Sequence, residues 1–150
     1  MPQSLSSVIV HVIFSTKDRT PNLAPDFRPD VHAYLAEVAR THRCECYRAG
    51  GVADHVHLAI RLARTITVAD LVKELKTNST KWVKTQSPRL RDFAWQGGYG
   101  AFSIHHRDLA MVLDYIHRQD EHHRKKTFKE EYLDFLTEYG IKCDEKYLWD

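Results

Sequence analysis

Two histidines separated by a single valine, in Asp54-His55-Val56-His57-Leu58-Ala59-Ile60, share one face only if the segment is extended. Successive side chains of a strand point to opposite sides, so His55 and His57 project together while Val56, Leu58 and Ile60 project away. Such a strand offers an apolar face to a layer of helices and two imidazoles to the other side. It restricts the fold to a sheet whose two faces have different tasks.

The rest of the chain supplies that sheet and those helices. Ser7 to Ser15 is β-branched and apolar and reads as a buried strand. Asp26 to Thr41 reads as a helix with Phe27, Val31, Tyr34, Leu35 and Val38 on one face. Cys44 to Val52 is a strand, the run Gly50 to Asp54 a turn or bulge, and His55 to Leu62 the next strand. Thr67, with Asp70 three residues on, opens a helix that buries Val68, Leu71, Val72, Leu75 and Trp82 and breaks at Ser87-Pro88. Ala101 to Ile104 is a short strand. Asp108 is placed to cap a helix running to about His122, with Leu109, Val112, Leu113 and Ile116 as its stripe. Thr127-Phe128-Lys129-Glu130 is a capping box for a last helix ending at Gly140. The order β-α-β-β-α-β followed by helices is that of an α+β, ferredoxin-like (RRM-like) antiparallel sheet with helices on one face and a C-terminal helix carrying Tyr115. The other face is expected to stay free for a ligand or a partner chain.

With 150 residues, 43% hydrophobic and 28% charged, one domain spanning 1–150 is expected. The longest apolar run, Val8 to Phe14, is interrupted by His11 and is far short of the roughly 20 residues a membrane span needs. No basic segment followed by a long apolar one opens the chain, so no secretory signal is expected. Cys44, Cys46 and Cys143 have no CxxC spacing and read as reduced thiols of a cytoplasmic protein. A net charge of +2 says little, whereas 10 histidines invite a search for metal-ligand spacing.

His55 and His57 form a partial metal site that lacks further ligands, or else a pair of solvated strand residues. Tyr115 and Gln119 stand four apart, one above the other at the rim of a helical stripe. Alone they are compatible with core filling. Together with the histidines they suggest a specific chemistry. A divalent ion would polarise a phosphate. A hard cation accepts an amide oxygen beside imidazoles. Attack by the Tyr115 phenol would store the phosphodiester's energy as a phosphotyrosine, so that strands are rejoined without ATP.

This set resembles the HUH single-tyrosine transposases of the insertion-sequence-200 type. The likeness rests on SVIVHVIFST, GGVADHVHLAI, WQGGYGAFSI and YIHRQDEHHRKKTF, and runs on through the aromatic tail with Tyr147 and Trp149. It implies a DNA transposase, with His55, His57 and Gln119 holding Mg²⁺ or Mn²⁺ and Tyr115 forming a 5′-phosphotyrosine. It also implies single-stranded, hairpin-bearing element ends as substrate, and a homodimer in which one subunit's tyrosine helix completes the other's histidine site. Related proteins acting on repetitive palindromic elements share the site but often work as monomers.

For DNA contacts, Lys73, Lys76, Thr80 and Lys84 on the second helix form one basic group, and Arg118, Arg124 and Lys125 near the tyrosine another. Trp95, Tyr99 and Phe102 are candidates to stack unpaired bases, with core packing favoured for Phe102. His122 and His123 could assist the second basic group or simply face solvent at a helix end, His105 and His106 carry no assigned role, and His11 lines the site only if the first strand lies beside His55. The rival readings are a non-catalytic nucleic-acid-binding module and a water-using phosphodiesterase. The first lacks the aromatic RNA-binding signature of such modules. The second would bring more carboxylates than Asp54 and Asp114.

Overall fold

The structure is a computed structural model describing residues 2–123 and 125–149. Its strands are β1 (Ile9–Ser15), β2 (Glu45–Gly51), β3 (His55–Arg61) and β4 (Gly100–Ile104). Helix α1 (Arg28–Thr41) joins β1 to β2, and α2 (Val68–Gln86) joins β3 to β4. After β4 come α3 (Leu109–His117), α4 (Gln119–His122), α5 (Phe128–Glu138) and α6 (Glu145–Leu148). The sheet order is β2-β3-β1-β4 with every neighbouring pair antiparallel, the ferredoxin-like arrangement expected from the element order.

One face of the sheet behaves as its pattern requires. Val10, Val12 and Phe14 of β1 and Val56, Leu58 and Ile60 of β3 are buried against α1 and α2, which contribute Val31, Leu35, Leu71, Val72 and Leu75. Trp82 stacks on Tyr34, with ring centroids 4.6 Å apart, and seals the space between the two helices. The helix-opening signal at Thr67 is real, since its hydroxyl accepts a hydrogen bond from the Asp70 N–H at 3.0 Å.

The opposite face is not free. Ile9, Ala59 and Ile104 pack with Ile116 of α3, and Ile13 and Phe102 pack with Phe128, Tyr132 and Leu136 of α5. The chain therefore covers its own second face. The reason is physical: the helices after β4 carry apolar stripes of their own, and burying a large apolar side chain is worth about 1.5–3 kcal/mol. Every residue of β1 is consequently buried, although the strand carries His11 in its middle.

Two local details differ from expectation. Asp108 makes no side-chain cap; a 3₁₀ turn over His106–Asp108 precedes α3, and its entrance is held by His105, whose ring accepts from the Arg107 N–H. The helix bearing Tyr115 is also not continuous to His122, because Arg118 leaves the helical region and separates α3 from α4. Gly50 explains how closely α3 lies on β2. A Cβ there would come within 2.7 Å of Ile116 Cγ2.

Candidate metal and tyrosine site

The strand parity read from the sequence holds: His55 and His57 leave β3 on the side away from α1 and α2. Because α3 and α5 cover that side, both imidazoles are fully buried rather than presented to solvent. β1 lies directly beside β3 and brings His11 to the same place, with its Nε2 2.8 Å from His57 Nδ1. Tyr115 projects from α3 with its ring 5.8 Å from that of His57. Gln119, on α4, is also buried, and its amide nitrogen donates to the Tyr115 carbonyl at 3.3 Å, which turns Oε1 toward His55. The structure thus brings together all four residues singled out for metal binding and catalysis, in one chain.

It adds two more. Glu131 of α5 is 2% exposed, with Oε1 3.0 Å from His57 Nε2 and 3.4 Å from His55 Nε2. Its other oxygen accepts the Tyr115 hydroxyl and faces the rings of His122 and His123. His123, just after α4, places its Nε2 3.0 Å from that of His55 and 3.0 Å from Gln119 Oε1. His55, His57, His123 and Glu131 form a compact group able to hold a metal ion. The sequence does contain a signal for Glu131. It stands three residues after Phe128 and four before Phe135, at the rim of an apolar stripe where a carboxylate has no reason to be unless it meets a partner.

The electrostatics follow from burial and this carboxylate. Burial lowers His57 to about 4, and burial together with His57 holds His11 well below the ordinary histidine value. Burial alone would lower His55 as well, but Asp54 and Glu131 outweigh it and leave His55 raised. Burial would raise Glu131; the facing rings of His123, His55 and His57 prevail and hold it far below the usual carboxylate range. Burial and the adjacent Glu131 charge push the Tyr115 phenol well above its ordinary range.

The expected nucleic-acid contacts divide. Lys73 and Lys84 are exposed and Thr80 half-buried on α2, the layer opposite the histidines. Lys76 is not free for phosphate: its ammonium donates to the Gln96 and Gly98 carbonyls at 2.8 and 2.7 Å, and burial lowers it to about 8. Trp95 is buried between Phe14 and Phe93 and donates to Ser79, so it is no platform for bases. Phe102 is likewise core, stacked on Phe135. Tyr99, by contrast, is partly exposed, with the Lys76 ammonium over its ring. Arg118 and Lys125 are exposed and line a cleft with Tyr115 and His122. Arg124 lies outside the described residues.

Comparison with known proteins points the same way. Residues 4–119 match the family described as Transposase IS200 like. The chain is 24% identical over 116 residues to the ISDra2 transposase TnpA of Deinococcus radiodurans, covering 74% of this chain and 83% of that protein. Its fold is similar to the crystal structure of a candidate transposase from Deinococcus radiodurans R1, with a TM-score of 0.61, 21% identity, and 79% and 98% of the two chains covered. It is equally similar, at a TM-score of 0.61 and 16% identity, to a REP-associated tyrosine transposase bound to a REP hairpin, over 82% and 72% of the chains.

Proposed function

This chain belongs to the IS200-like transposase family, and we propose that it cuts and rejoins single-stranded DNA at element ends through a 5′-phosphotyrosine on Tyr115. The observation that carries this reading is the position of the Tyr115 hydroxyl, hydrogen-bonded to Glu131 within a buried cluster of metal-ligating side chains. Residues 1–150 act as one HUH transposase domain in this reading.

The donor set fits a divalent ion. His55, His57 and Gln119 would hold it, and the family resemblance names Mg²⁺ or Mn²⁺. When bound, such an ion polarises a phosphate and offsets the charge that develops during in-line attack. The chain's own groups do the rest. Glu131 orients the Tyr115 hydroxyl and is the nearest acceptor for its proton. The Gln119 amide ties the metal site to the tyrosine backbone through one hydrogen bond of 3.3 Å. Arg118 and Lys125 flank one of the clefts that open onto Tyr115, where they would meet a phosphate.

The substrate would be single-stranded DNA with hairpin-bearing ends. The family resemblance suggests a homodimer whose sites are shared between subunits. A second reading, a chain that works alone, is favoured by the assembly of tyrosine, histidines and glutamate within one chain.

The test is incubation with hairpin-bearing single-stranded DNA and Mg²⁺ or Mn²⁺, followed by a denaturing gel. A covalent protein–DNA adduct that disappears in Tyr115→Phe is the expected result. Cleavage that survives Tyr115→Phe without an adduct would indicate a hydrolase, and binding without cleavage a passive module. Mixing His57→Ala with Tyr115→Phe chains decides the assembly: recovered activity means sites shared between subunits, and none means a site within one chain.

A further inference from the structure

Two of the three imidazoles at the site, His55 and His123, are oriented by partners that leave little choice about their hydrogens. His55 Nδ1 lies 2.7 Å from the Asp54 carboxylate, and His123 Nδ1 lies 2.7 Å from the Lys126 carbonyl. Both partners only accept, so each Nδ1 carries a hydrogen, and whenever the ring is neutral its bare Nε2 turns inward. Yet those two Nε2 atoms sit 3.0 Å apart. Gln119 Oε1 is also aimed here by the amide's bond to the Tyr115 carbonyl, 3.0 Å from His123 Nε2 and 3.4 Å from His55 Nε2. Glu131 adds carboxylate oxygens 3.0 Å from His57 Nε2, 3.4 Å from His55 Nε2 and 3.2 Å from His123 Nε2. Lone pairs facing lone pairs in a dry interior repel, unless positive charge lies between them.

One proton can bridge only one pair of these inward atoms, whereas a metal ion at their centre serves all of them. Donors that bind one ion at about 2.1 Å lie roughly 3.0–3.4 Å from their neighbours in octahedral or tetrahedral arrangements. The distances among the inward-facing atoms fall in that interval. We propose that His123 and Glu131 are metal ligands beside His55, His57 and Gln119, giving a centre of three imidazoles, one carboxylate and one amide that selects Mn²⁺ over Mg²⁺.

The selectivity follows from the donors. Imidazoles suit first-row transition ions, whereas Mg²⁺ keeps its waters and takes few protein ligands. The second layer supports the assignment: Asp54, the Lys126 carbonyl and His11 each hold the far nitrogen of a ligand ring, the usual way such rings are fixed. Glu131 would then link the ion and the nucleophile, with one oxygen beside the His57 ring and the other on the Tyr115 hydroxyl. Both added ligands lie beyond residue 119, where the family match ends.

The inference rests on the metal-dependent reading of this same site, but it is tested without DNA. Mn²⁺ is titrated into the whole chain and followed by electron paramagnetic resonance, with pulsed measurements counting the coupled imidazole nitrogens. Three imidazoles are expected, along with displacement of Mn²⁺ only by Mg²⁺ in more than about hundredfold excess. Glu131→Gln and His123→Ala are each expected to weaken Mn²⁺ binding at least about tenfold, with circular dichroism confirming that the variants fold. Two coupled nitrogens in the unmodified protein, or Mn²⁺ affinity unchanged in both folded variants, overturns the proposal. Three-imidazole binding without any Tyr115–DNA adduct upholds the metal centre and removes the transposase chemistry instead.

Discussion

Asp54 touches no candidate substrate, yet it fixes the ring of His55 through a 2.7 Å hydrogen bond and so decides which nitrogen faces the site. Replacing it with alanine frees that ring to rotate and removes a charge that favours its basicity. Outer partners of metal-binding histidines are commonly worth about 10–100-fold in affinity. Asp54→Ala is therefore expected to weaken Mn²⁺ binding by that order while changing the melting temperature little, because the carboxylate is partly exposed. Calorimetric titration of Mn²⁺ checks this, and an unaltered affinity would mean that His55 is held by packing alone. The histidine pair itself was legible from strand parity. Glu131 left only its place between Phe128 and Phe135 as a mark, because a glutamate in Lys-Glu-Glu-Tyr normally faces water and the docking of its helix is what turns it inward.

At the scale of elements, α5 has two tasks, covering Ile13 and Phe102 and delivering Glu131. Its start is set by Thr127, whose hydroxyl accepts from the Glu130 N–H at 3.2 Å while the Glu130 carboxylate returns to the Thr127 N–H at 3.3 Å. Loss of such a cap typically costs about 1 kcal/mol. Thr127→Ala is expected to lower unfolding free energy by that amount in a urea titration, and to weaken metal binding in the same protein because Glu131 lies in the first turn. Stability lost with metal affinity intact would show that Glu131 is positioned from its C-terminal side. The capping box, like the strands and the first two helices, was readable because each depends on neighbours in sequence. The break at Arg118 and the failed cap at Asp108 were not readable, since packing against the sheet decides them.

For the molecule as a whole, acid is expected to be destabilising. His32 on α1 has a buried Nε2 without a hydrogen-bond partner among the described residues, and burial lowers it to about 4, with Arg28 adding to the effect and Asp120 opposing it. The unfolded chain binds the proton near 6.5, so between about pH 6.5 and 4 unfolding takes up a proton that the folded state refuses. Stability is full above that window and falls as the pH drops through it. His11 and His57 act in the same direction, and His55, raised in the fold, opposes them. His32→Leu is expected to raise stability at pH 5 by about 1–2 kcal/mol relative to its effect at pH 8, read from thermal unfolding at both values. An equal effect at the two pH values would mean that His32 charges as readily in the fold as outside it. The ferredoxin-like fold class was legible at this scale from the element order, whereas the covering of the sheet's second face was not, because two amphipathic helices announce that they need a surface without naming which one.

That covering decides how a strand of DNA can travel. A bare sheet lets bases lie flat across it, as on an open palm, but Ile13, Phe102 and Ile104 are roofed by α3 and α5. Among the described residues, Tyr115 opens to solvent at the edge of that roof, in a cleft bordered by Arg118 and Lys125 and in others beside Phe135 and Glu138. On the proposed function, nucleic acid would pass Tyr115 as a thread passes a needle's side, presenting its backbone inward, with its bases left outside for other surfaces to read.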